Sequence, residues 1–528
     1  MLRSALFAAI FSLVISVPAR ALKTEMLGVG TASGGVQSLE VTSAQAMVRF
    51  SSGTTDAQVD AALSATGATR LRGFTGSWFL VGWNDGSPVG PRLSTLKTAL
   101  GVLAADPSRV YRAFRSPNDP LFNSQYALAM VSAPTAWEYG VGNANRVTIA
   151  VMDSGIDGTH PDLVAKLANT TSRAFDPNSG VAAANNPPTP ACNHATHVAG
   201  VAAASTDNGL QVAGMSWGAQ LVSYKVFNDA DCNTDINCLS VTCLTNDPGI
   251  IAALNQSVTD ATVNAAAYGR IVVNISLGGV NACSGALQTA VSNAVANNVV
   301  VVAAAGNIPA GGNSAVQSPA NCNGVIPMGA SDNTDQIAYF SSRGPELAAN
   351  GLVAPGVALI TTDEGGGTAS ATGTSFSSPM GAGLAALVLS AKPTWTPTQV
   401  KNVMRGGADD IGQSATVQGA GRMDAFRTMR LTVNGTLAGF DGEQKPIAFP
   451  NPFRISQGGA VTIYYPSSLH GSGTDIKIYT MTGRIVRELS APLWDGKNTD
   501  GNLVASGSYM FVVKTSAGSS SGRLAVIR

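Results

Sequence analysis

The chain has 528 residues, too many for one compact domain, so we expect three or four structural units. Only 12% of the residues are charged and the formal net charge is +0, so nothing in the charge favours nucleic acid or an anionic membrane as the main partner. Hydrophobic residues make up 45% of the chain, enough for a large core.

The N-terminus has the pattern of a secretory signal. Arg3 supplies a positive charge, residues 5–17 are apolar, and Ala19-Arg20-Ala21 places small residues where signal peptidase cleaves. A membrane anchor is the less favoured alternative, because the apolar run is shorter than the ~20 residues that a span needs. The sequence therefore predicts a signal peptide at 1–21, an exported protein and no transmembrane anchor.

Residues 22–115 predict a small α+β unit. Alternating and amphipathic patterns indicate strands at 46–50 and 78–83 and helices at 56–65 and 93–103. The run Pro117-Asn118-Asp119-Pro120 breaks regular structure and marks a boundary between units.

Residues 116–432 predict an α/β domain with a doubly wound, mostly parallel sheet. Near-continuous β-branched runs, typical of strands buried on both faces, occur at 147–152, 221–226, 271–275 and 299–303. Alanine-rich segments such as 284–297 lie between them and suit crossover helices.

After a linker at 433–446, residues 447–528 predict a β-sandwich. Short alternating strands, separated by Gly, Asn and Asp turns, are expected at 461–465, 476–479, 485–489 and 509–513.

Cysteines occur only in the middle of the chain, at Cys192, Cys232, Cys238, Cys243, Cys283 and Cys322. An even number in an exported protein indicates up to three disulfides, and the spacing matches no standard zinc pattern. We expect one bond between Cys283 and Cys322. The connectivity of the other four stays open.

Three polar residues of the middle domain stand where catalytic groups are expected. Asp153 ends a buried strand, His194 opens a helical segment, and Ser375 follows a glycine-bounded turn at the start of another. A serine hydroxyl needs a base to accept its proton, and an imidazole base needs a carboxylate to orient it. The three residues supply these groups.

The segments around them, Val151–Asp157, Asn193–Gly200 and Gly373–Pro379, resemble the signature motifs of the subtilisin-like serine proteases in the family's chain order. The resemblance implies that Asp153 orients the imidazole, His194 is the general base and Ser375 is the nucleophile. It also implies a secreted endopeptidase that acts on proteins or peptides and needs no cofactor for catalysis.

Two further segments are similar to the same family. Ala303-Ala304-Ala305-Gly306-Asn307 resembles the segment that ends in an oxyanion-hole asparagine, so Asn307 should donate to the oxyanion. Ser276, Leu277 and Gly278 resemble the strand that binds the substrate backbone. The substrate preference itself is not predicted.

The resemblance suggests a structural Ca²⁺ ion held by Gln125, Asp162 and Asn208, since such ions take oxygen ligands. The alternative is that these are ordinary surface and turn residues. A metal site at His194 and His197 is disfavoured, because the acidic third ligand and the usual i, i+4 spacing are missing.

The flanking regions have resemblances of their own. Residues 22–115 resemble an inhibitor-type propeptide, which implies a self-processing zymogen cut near 112–118 and inhibited by its own propeptide. Residues 447–528 resemble the Ig-like module of flagellar hook-cap proteins and similar sorting domains. Such a module could hold the exported protein at the cell surface, but the fold alone does not choose between sorting, attachment and spacing.

Ala195 departs from the family pattern, which usually has glycine after the catalytic histidine. It is the feature that favours an alternative function, a surface-binding protein built on a degenerate protease scaffold. An esterase is disfavoured, because no Gly-x-Ser-x-Gly elbow surrounds Ser375.

Overall fold

The computed structural model describes residues 24–30, 36–86, 88–109, 117–232, 243–308, 315–437, 446–449, 451, 453–455, 460–465, 469, 473–516 and 518–528. The predicted signal peptide at 1–21, residues 112–116 of the predicted cleavage region 112–118, Cys238 and most of the predicted linker lie outside these residues. The chain divides into two compact units, residues 1–112 with 438–442 and residues 113–437 with 443–528. The finer domain boundaries from the sequence stay predictions.

The first unit is a five-stranded antiparallel sheet with two helices. Its elements are β1 (Thr24–Gly30), β2 (Val36–Phe50), α1 (Asp56–Ala65), β3 (Thr69–Phe74), β4 (Trp78–Gly82), α2 (Val89–Lys97) and β5 (Val102–Arg109). The helix predicted at 56–65 is confirmed. Thr55 and Gln58 form a capping box at its N-terminus. The helix predicted at 93–103 is wrong at its end, since α2 stops at Lys97 and Gly101 turns with a φ of +80° into β5.

The second unit contains an eight-stranded sheet. Its strands are β6 (Val147–Asp153), β7 (Arg173–Phe175), β8 (Ala182–Ala184), β9 (Gln220–Lys225), β10 (Arg270–Ile275), β11 (Val300–Ala304), β12 (Ile326–Ser331) and β13 (Leu352–Pro355). The spatial order is β13-β12-β11-β10-β6-β9-β7-β8, and every neighbouring pair is parallel except β7 with β8. The predicted parallel sheet is confirmed.

Helices of this unit cover both faces of the sheet. They are α3 (Tyr126–Met130), α4 (Ala133–Ala136), α5 (Val164–Leu167), α6 (His194–Ala203), α7 (Asp229–Cys232), α8 (Asp247–Thr262), α9 (Ala265–Tyr268), α10 (Gly285–Ala296), α11 (Pro345–Asn350), α12 (Thr374–Ala391), α13 (Pro397–Gly406), α14 (Ala415–Gln418) and α15 (Ala425–Asn434). Alternate residues of β6 enter different cores: Ile149 packs with α6 and α12, and Ala150 packs with α8 and α10. The continuous apolar strands are therefore buried on both sides.

The strand order reverses beside β6. This first strand of the sheet lies between β9 and β10, so the chain leaves it toward one edge and later returns to build the other. Ligands of open α/β sheets bind at the carboxyl ends of strands beside such a reversal. The topology therefore places the functional site at the ends of β6, β10 and β11.

An antiparallel hairpin, β14 (Leu359–Asp363) and β15 (Gly367–Ala371), precedes α12 and packs on α6. Thr361 and Thr362 of β14 donate their hydroxyls to the carbonyls of His197 and Thr196. These bonds attach the hairpin to the first turn of the helix.

The C-terminal residues form two packed sheets, as the sequence predicts. One sheet contains β16 (Ile447–Phe449), β18 (Val461–Tyr464) and β21 (Leu493–Trp494), and the other contains β17 (Phe453–Arg454), β19 (Asp475–Thr480), β20 (Ile485–Leu489), β22 (Gly507–Thr515) and β23 (Gly518–Ile527). Trp494 of the first and Phe511 of the second share a buried core. Across the residues that the structure describes, we find no helix with the length and hydropathy of a membrane span.

Candidate active site

Asp153, which is buried, and His194, which is half-buried, form a pair at the carboxyl edge of the sheet. Asp153 is the last residue of β6 and 2% exposed, and His194 is the first residue of α6. His194 Nδ1 lies 2.9 Å from Asp153 Oδ1 and 3.1 Å from Oδ2. Burial lowers the pKa of His194, but the Asp153 charge and hydrogen bond outweigh it, so this pKa lies above its ordinary value.

The start of α6 is held by Ser154, the residue after Asp153. Its hydroxyl accepts the Ala195 N–H at 3.1 Å and donates to the Cys192 carbonyl at 3.1 Å. Ala195, the departure from the family motif, is fully buried inside the helix. An α-helical position suits alanine better than glycine, so the replacement leaves His194 in place.

Ser375 is the second residue of α12 and is 8% exposed. Its hydroxyl donates to the Ser276 carbonyl at 3.2 Å, and the Ser276 hydroxyl donates to the Ser375 carbonyl at 2.8 Å. Phe376 packs against the imidazole of His194, with ring centroids 5.6 Å apart. The residue after Ser375 thus contacts the His194 ring, while the Ser375 hydroxyl itself is bonded to Ser276.

Asn307 lies in the segment that follows β11, next to the start of α12. Its Oδ1 accepts both the N–H and the hydroxyl of Thr374, each at 2.9 Å. These two bonds turn Nδ2 away from Thr374. Gly373, with a φ of +151°, passes so close that a Cβ there would lie 3.2 Å from Asn307 Nδ2. The amide and the N-terminus of an 18-residue helix can therefore offer N–H groups to one anion.

The segment after β10 contains Ser276, Leu277 and Gly278. A buried chain of hydrogen bonds holds its start: Ser378 donates to Asn274 Oδ1 at 2.7 Å, and Asn274 Nδ2 donates to Ser276 Oγ at 2.9 Å. Asn274 and Thr374 were not predicted from the sequence. Asn274 could have been predicted as a functional or structural polar residue, because it is an amide within an apolar strand.

His197 lies one turn after His194 and pairs with a different acid. His197 Nε2 is 2.8 Å from Asp363 Oδ1, which also accepts the Asn193 amide at 3.2 Å. Burial lowers the pKa of His197 more than Asp363 raises it. Asp363, also missed from the sequence, thereby joins the hairpin to residues on both sides of His194.

The residues predicted to hold calcium lie around one loop. Asp162 accepts the Asn208 amide at 3.0 Å and the Val212 N–H at 3.1 Å. Gln125 is bonded to the backbone of Ala213 through both amide atoms, and its role as a ligand stays a prediction.

Asp119 belongs to the same loop cluster and was not predicted. It is 4% exposed, its Oδ2 accepts the Asp207 N–H at 2.8 Å, and its Oδ1 is buried without a hydrogen-bond partner. Burial raises its pKa and the charge of Asp162 adds to the effect, although backbone N–H groups oppose it. A buried oxygen without a donor beside a second carboxylate fits the oxygen ligands of a Ca²⁺ ion.

Disulfides account for every cysteine that the structure describes. Cys283 bonds to Cys322, the pair expected from the sequence, and Cys232 bonds to Cys243. The sulfurs of Cys192, Cys232 and Cys243 lie within 4.8 Å of one another. Because all three are in disulfides, this cluster offers no thiolate to a metal ion.

Comparisons with known proteins match the domain that contains these residues. A family model described as the Subtilase family matches residues 144–422. Subtilisin amylosacchariticus from Bacillus subtilis subsp. amylosacchariticus is 37% identical over 290 residues, covering 55% of this chain and 67% of the relative. Thermitase from Thermoactinomyces vulgaris is 32% identical over 316 residues, covering 60% and 99%. An extracellular protease from Xanthomonas campestris pv. campestris is 30% identical over 379 residues, covering 64% and 62%.

Proposed function

The chain belongs to the subtilase family and is a serine endopeptidase, and on this premise we propose that Asp153, His194 and Ser375 are its catalytic triad. The observation that carries the proposal is the hydrogen bond between His194 Nδ1 and the buried Asp153, with Ser375 at the start of the neighbouring helix. Asp153 holds the tautomer whose Nε2 can accept a proton.

In the proposed reaction His194 Nε2 takes the proton of Ser375 as its oxygen attacks the substrate carbonyl. The carbonyl oxygen becomes an oxyanion, which Asn307 Nδ2 and the Ser375 N–H stabilise. His194 then gives the proton to the leaving amine, and an acyl-enzyme remains on Ser375. Water, deprotonated by the same imidazole, hydrolyses it.

The raised pKa of His194 suits this cycle. The imidazole must accept a proton from serine before it protonates an amine, and a raised pKa favours the first of these steps. Ser276, Leu277 and Gly278 would pair with the substrate backbone beside the nucleophile. Ala195, which favoured a non-catalytic scaffold, lies in an ordinary helical position and gives that alternative no support.

A fluorophosphonate probe tests the nucleophile. Labelling of the wild-type protein is expected, together with digestion of casein, and both should disappear in Ser375→Ala. Ser377→Ala, two residues away on the same helix, is the matched control and should keep its label. Labelling that persists in Ser375→Ala would exclude Ser375 as the nucleophile.

We also propose that the protein is exported through residues 1–21 and made as a zymogen with residues 22–115 as propeptide. One relative is an extracellular protease, which supports export. N-terminal sequencing of the secreted protein, with and without Ser375→Ala, is the experiment. A mature N-terminus near 112–118 in the wild type and a longer chain in the variant are expected. Identical N-termini would exclude self-processing.

A structural Ca²⁺ ion is proposed at Asp119, Asp162 and Asn208. It would neutralise the two buried carboxylates and join the loop after α6 to the segment before α3. Removing a ligand present at 100 times its Kd costs about 2.7 kcal/mol of stability, so EDTA should lower Tm by several degrees.

The melting experiment uses the Ser375→Ala background to prevent autolysis. Added Ca²⁺ should restore Tm in the parent and fail to do so in Asp119→Asn. Asp500→Asn, at an exposed turn, is the control that should behave as the parent. If EDTA leaves the Tm of the parent unchanged, the protein has no structural Ca²⁺ ion at this site.

A further inference from the structure

The hairpin of β14 and β15 lies between the helices that carry the proposed base and the proposed nucleophile. β15 ends at Ala371, just before α12, whose second residue is Ser375. Its partner β14 packs on α6, which begins with His194. The hairpin is therefore covalently joined to the helix of the nucleophile and in contact with the helix of the base. A shift of α6 on the hairpin would change the distance between the two side chains.

Close packing places β14 directly against α6. A Cβ at Gly200 would overlap the hydroxyl oxygens of Thr361 and Thr362, so this approach requires a glycine. The two hydroxyls donate to the carbonyls of His197 and Thr196 at 2.7 and 2.6 Å. The glycine thus lets the strand lie on the helix, and the two hydroxyls hold it there.

Asp363, the last residue of β14, accepts hydrogen bonds from the start of α6. Its Oδ1 accepts Nε2–H of His197 at 2.8 Å and the side-chain amide of Asn193 at 3.2 Å. The same oxygen accepts the Glu364 N–H at 2.9 Å, which holds the carboxylate in place. Asn193 is the residue before His194, and its side chain makes no capping bond to the helix. Its amide reaches the hairpin instead.

A second contact leads from Asp363 to the base through an aromatic ring. Phe376, which follows the nucleophile, packs against both imidazoles, with its ring centroid 5.6 Å from that of His194 and 6.2 Å from that of His197. A rotation of His197 would therefore disturb the packing of this ring on His194. The acid is thus linked to the base by two routes, the Asn193 amide and the Phe376 ring.

We propose that Asp363 is a positioning residue, whose two hydrogen bonds to the start of α6 hold His194 at the distance from Ser375 that proton transfer needs. The inference rests on the proposed function and adds a positioning residue to it. A displacement of about 1 Å in a catalytic group can cost about 10²-fold in rate. None of the hydrogen bonds described for Asp363 involves residues 276–278, which are proposed to bind the substrate. Its loss should therefore lower kcat and leave KM nearly unchanged.

The Asp363→Ala variant removes both bonds. Its kcat on a chromogenic peptide is expected to fall by about tenfold to hundredfold, per molecule of active enzyme counted by complete labelling with the fluorophosphonate probe. Counting active molecules separates a slower site from a smaller folded fraction. Glu364→Ala, at the next residue of the same turn, is the matched control. It should keep the wild-type kcat, because its side chain makes no hydrogen bond among the residues that the structure describes.

The Asp363→Asn variant tests whether hydrogen bonding or charge is responsible. Its side-chain oxygen can accept the same donors as the carboxylate. Burial lowers the pKa of His197, so the ring donates as a neutral group and does not need a charged acceptor. Most of the kcat that is lost in Asp363→Ala should therefore be recovered in Asp363→Asn, again without a change in KM.

A wild-type kcat in Asp363→Ala, an equal loss in Glu364→Ala, or a loss that Asp363→Asn does not recover would overturn the inference. A change confined to KM would do the same. If Asp363→Ala does not fold, Asn193→Ala removes one of the two bonds and should lower kcat by a smaller factor, and a wild-type kcat there would also overturn it. Failure of the proposed function would look different, since the wild type would neither cleave the peptide nor be labelled at Ser375.

Discussion

Replacement of His194 by alanine is expected to lower kcat by about 10⁶-fold, the loss that follows removal of the base from a serine triad. Without the imidazole the Ser375 proton has no acceptor, and the leaving amine has no donor. The Asp153 carboxylate cannot substitute for it, because Asp153 is bonded to Nδ1, whereas the proposed proton transfer uses Nε2. The measurement is single-turnover hydrolysis of a chromogenic peptide.

His197→Gln is the matched control for His194→Ala, because it removes the other imidazole of the same helix. Its Nε2 is bonded to Asp363 and takes no part in the proposed proton transfer. This variant should keep a far larger share of the activity, with any loss explained by a weaker attachment of the hairpin. Equal losses in both variants would contradict His194 as the base.

The Asp153→Asn variant is expected to lose about 10⁴-fold in kcat, because an amide can stabilise the wrong imidazole tautomer and cannot stabilise its charge. It should also shift the acidic limb of the pH profile. In the wild type His194 works as a base only when neutral, so kcat/KM rises with pH through its raised pKa. When the carboxylate charge is removed, the effect of burial remains and lowers the pKa of His194. The acidic limb therefore moves to lower pH.

Asp157→Asn is the control for the pH shift. Asp157 lies on the same loop, but its oxygens accept bonds from Thr159 and the Gly365 N–H rather than from His194. The acidic limb of the Asp157→Asn pH profile should stay at the same pH as in the wild type. If the acidic limb of Asp153→Asn stays at the same pH or moves to higher pH, Asp153 does not raise the pKa of His194.

Local patterns in the sequence were enough to predict most of the large sheet. The β-branched run at 147–152 and its counterparts became β6, β9, β10 and β11, because strands buried on both faces need continuous apolar residues. The helix expected at 93–103 ended early, since the backbone turns at Gly101 and the following residues pair with β2. That pairing connects distant residues, which a local helical pattern does not contain.

The triad could be proposed from motifs because each member lies at the end of an element that the sequence marks. The residues that position the triad could not be predicted from motifs. Asp363 contacts His197 from 166 positions away, and Ser276 contacts Ser375 from 99 positions away. Asp119 likewise becomes a candidate Ca²⁺ ligand only because the fold places it beside Asp162 and the loop after α6. No local pattern reports such a neighbour.

By itself, the sequence determined the α/β class, the order Asp153, His194, Ser375 and the position of each at an element's end, because apolar periodicity and turn residues act locally. Only the tertiary structure decided what surrounds those groups: the Asp153 carboxylate that raises the His194 pKa, and the Thr374 bonds that orient Asn307. These depend on distances between segments far apart in the chain, and such distances exist only once the sheet has assembled.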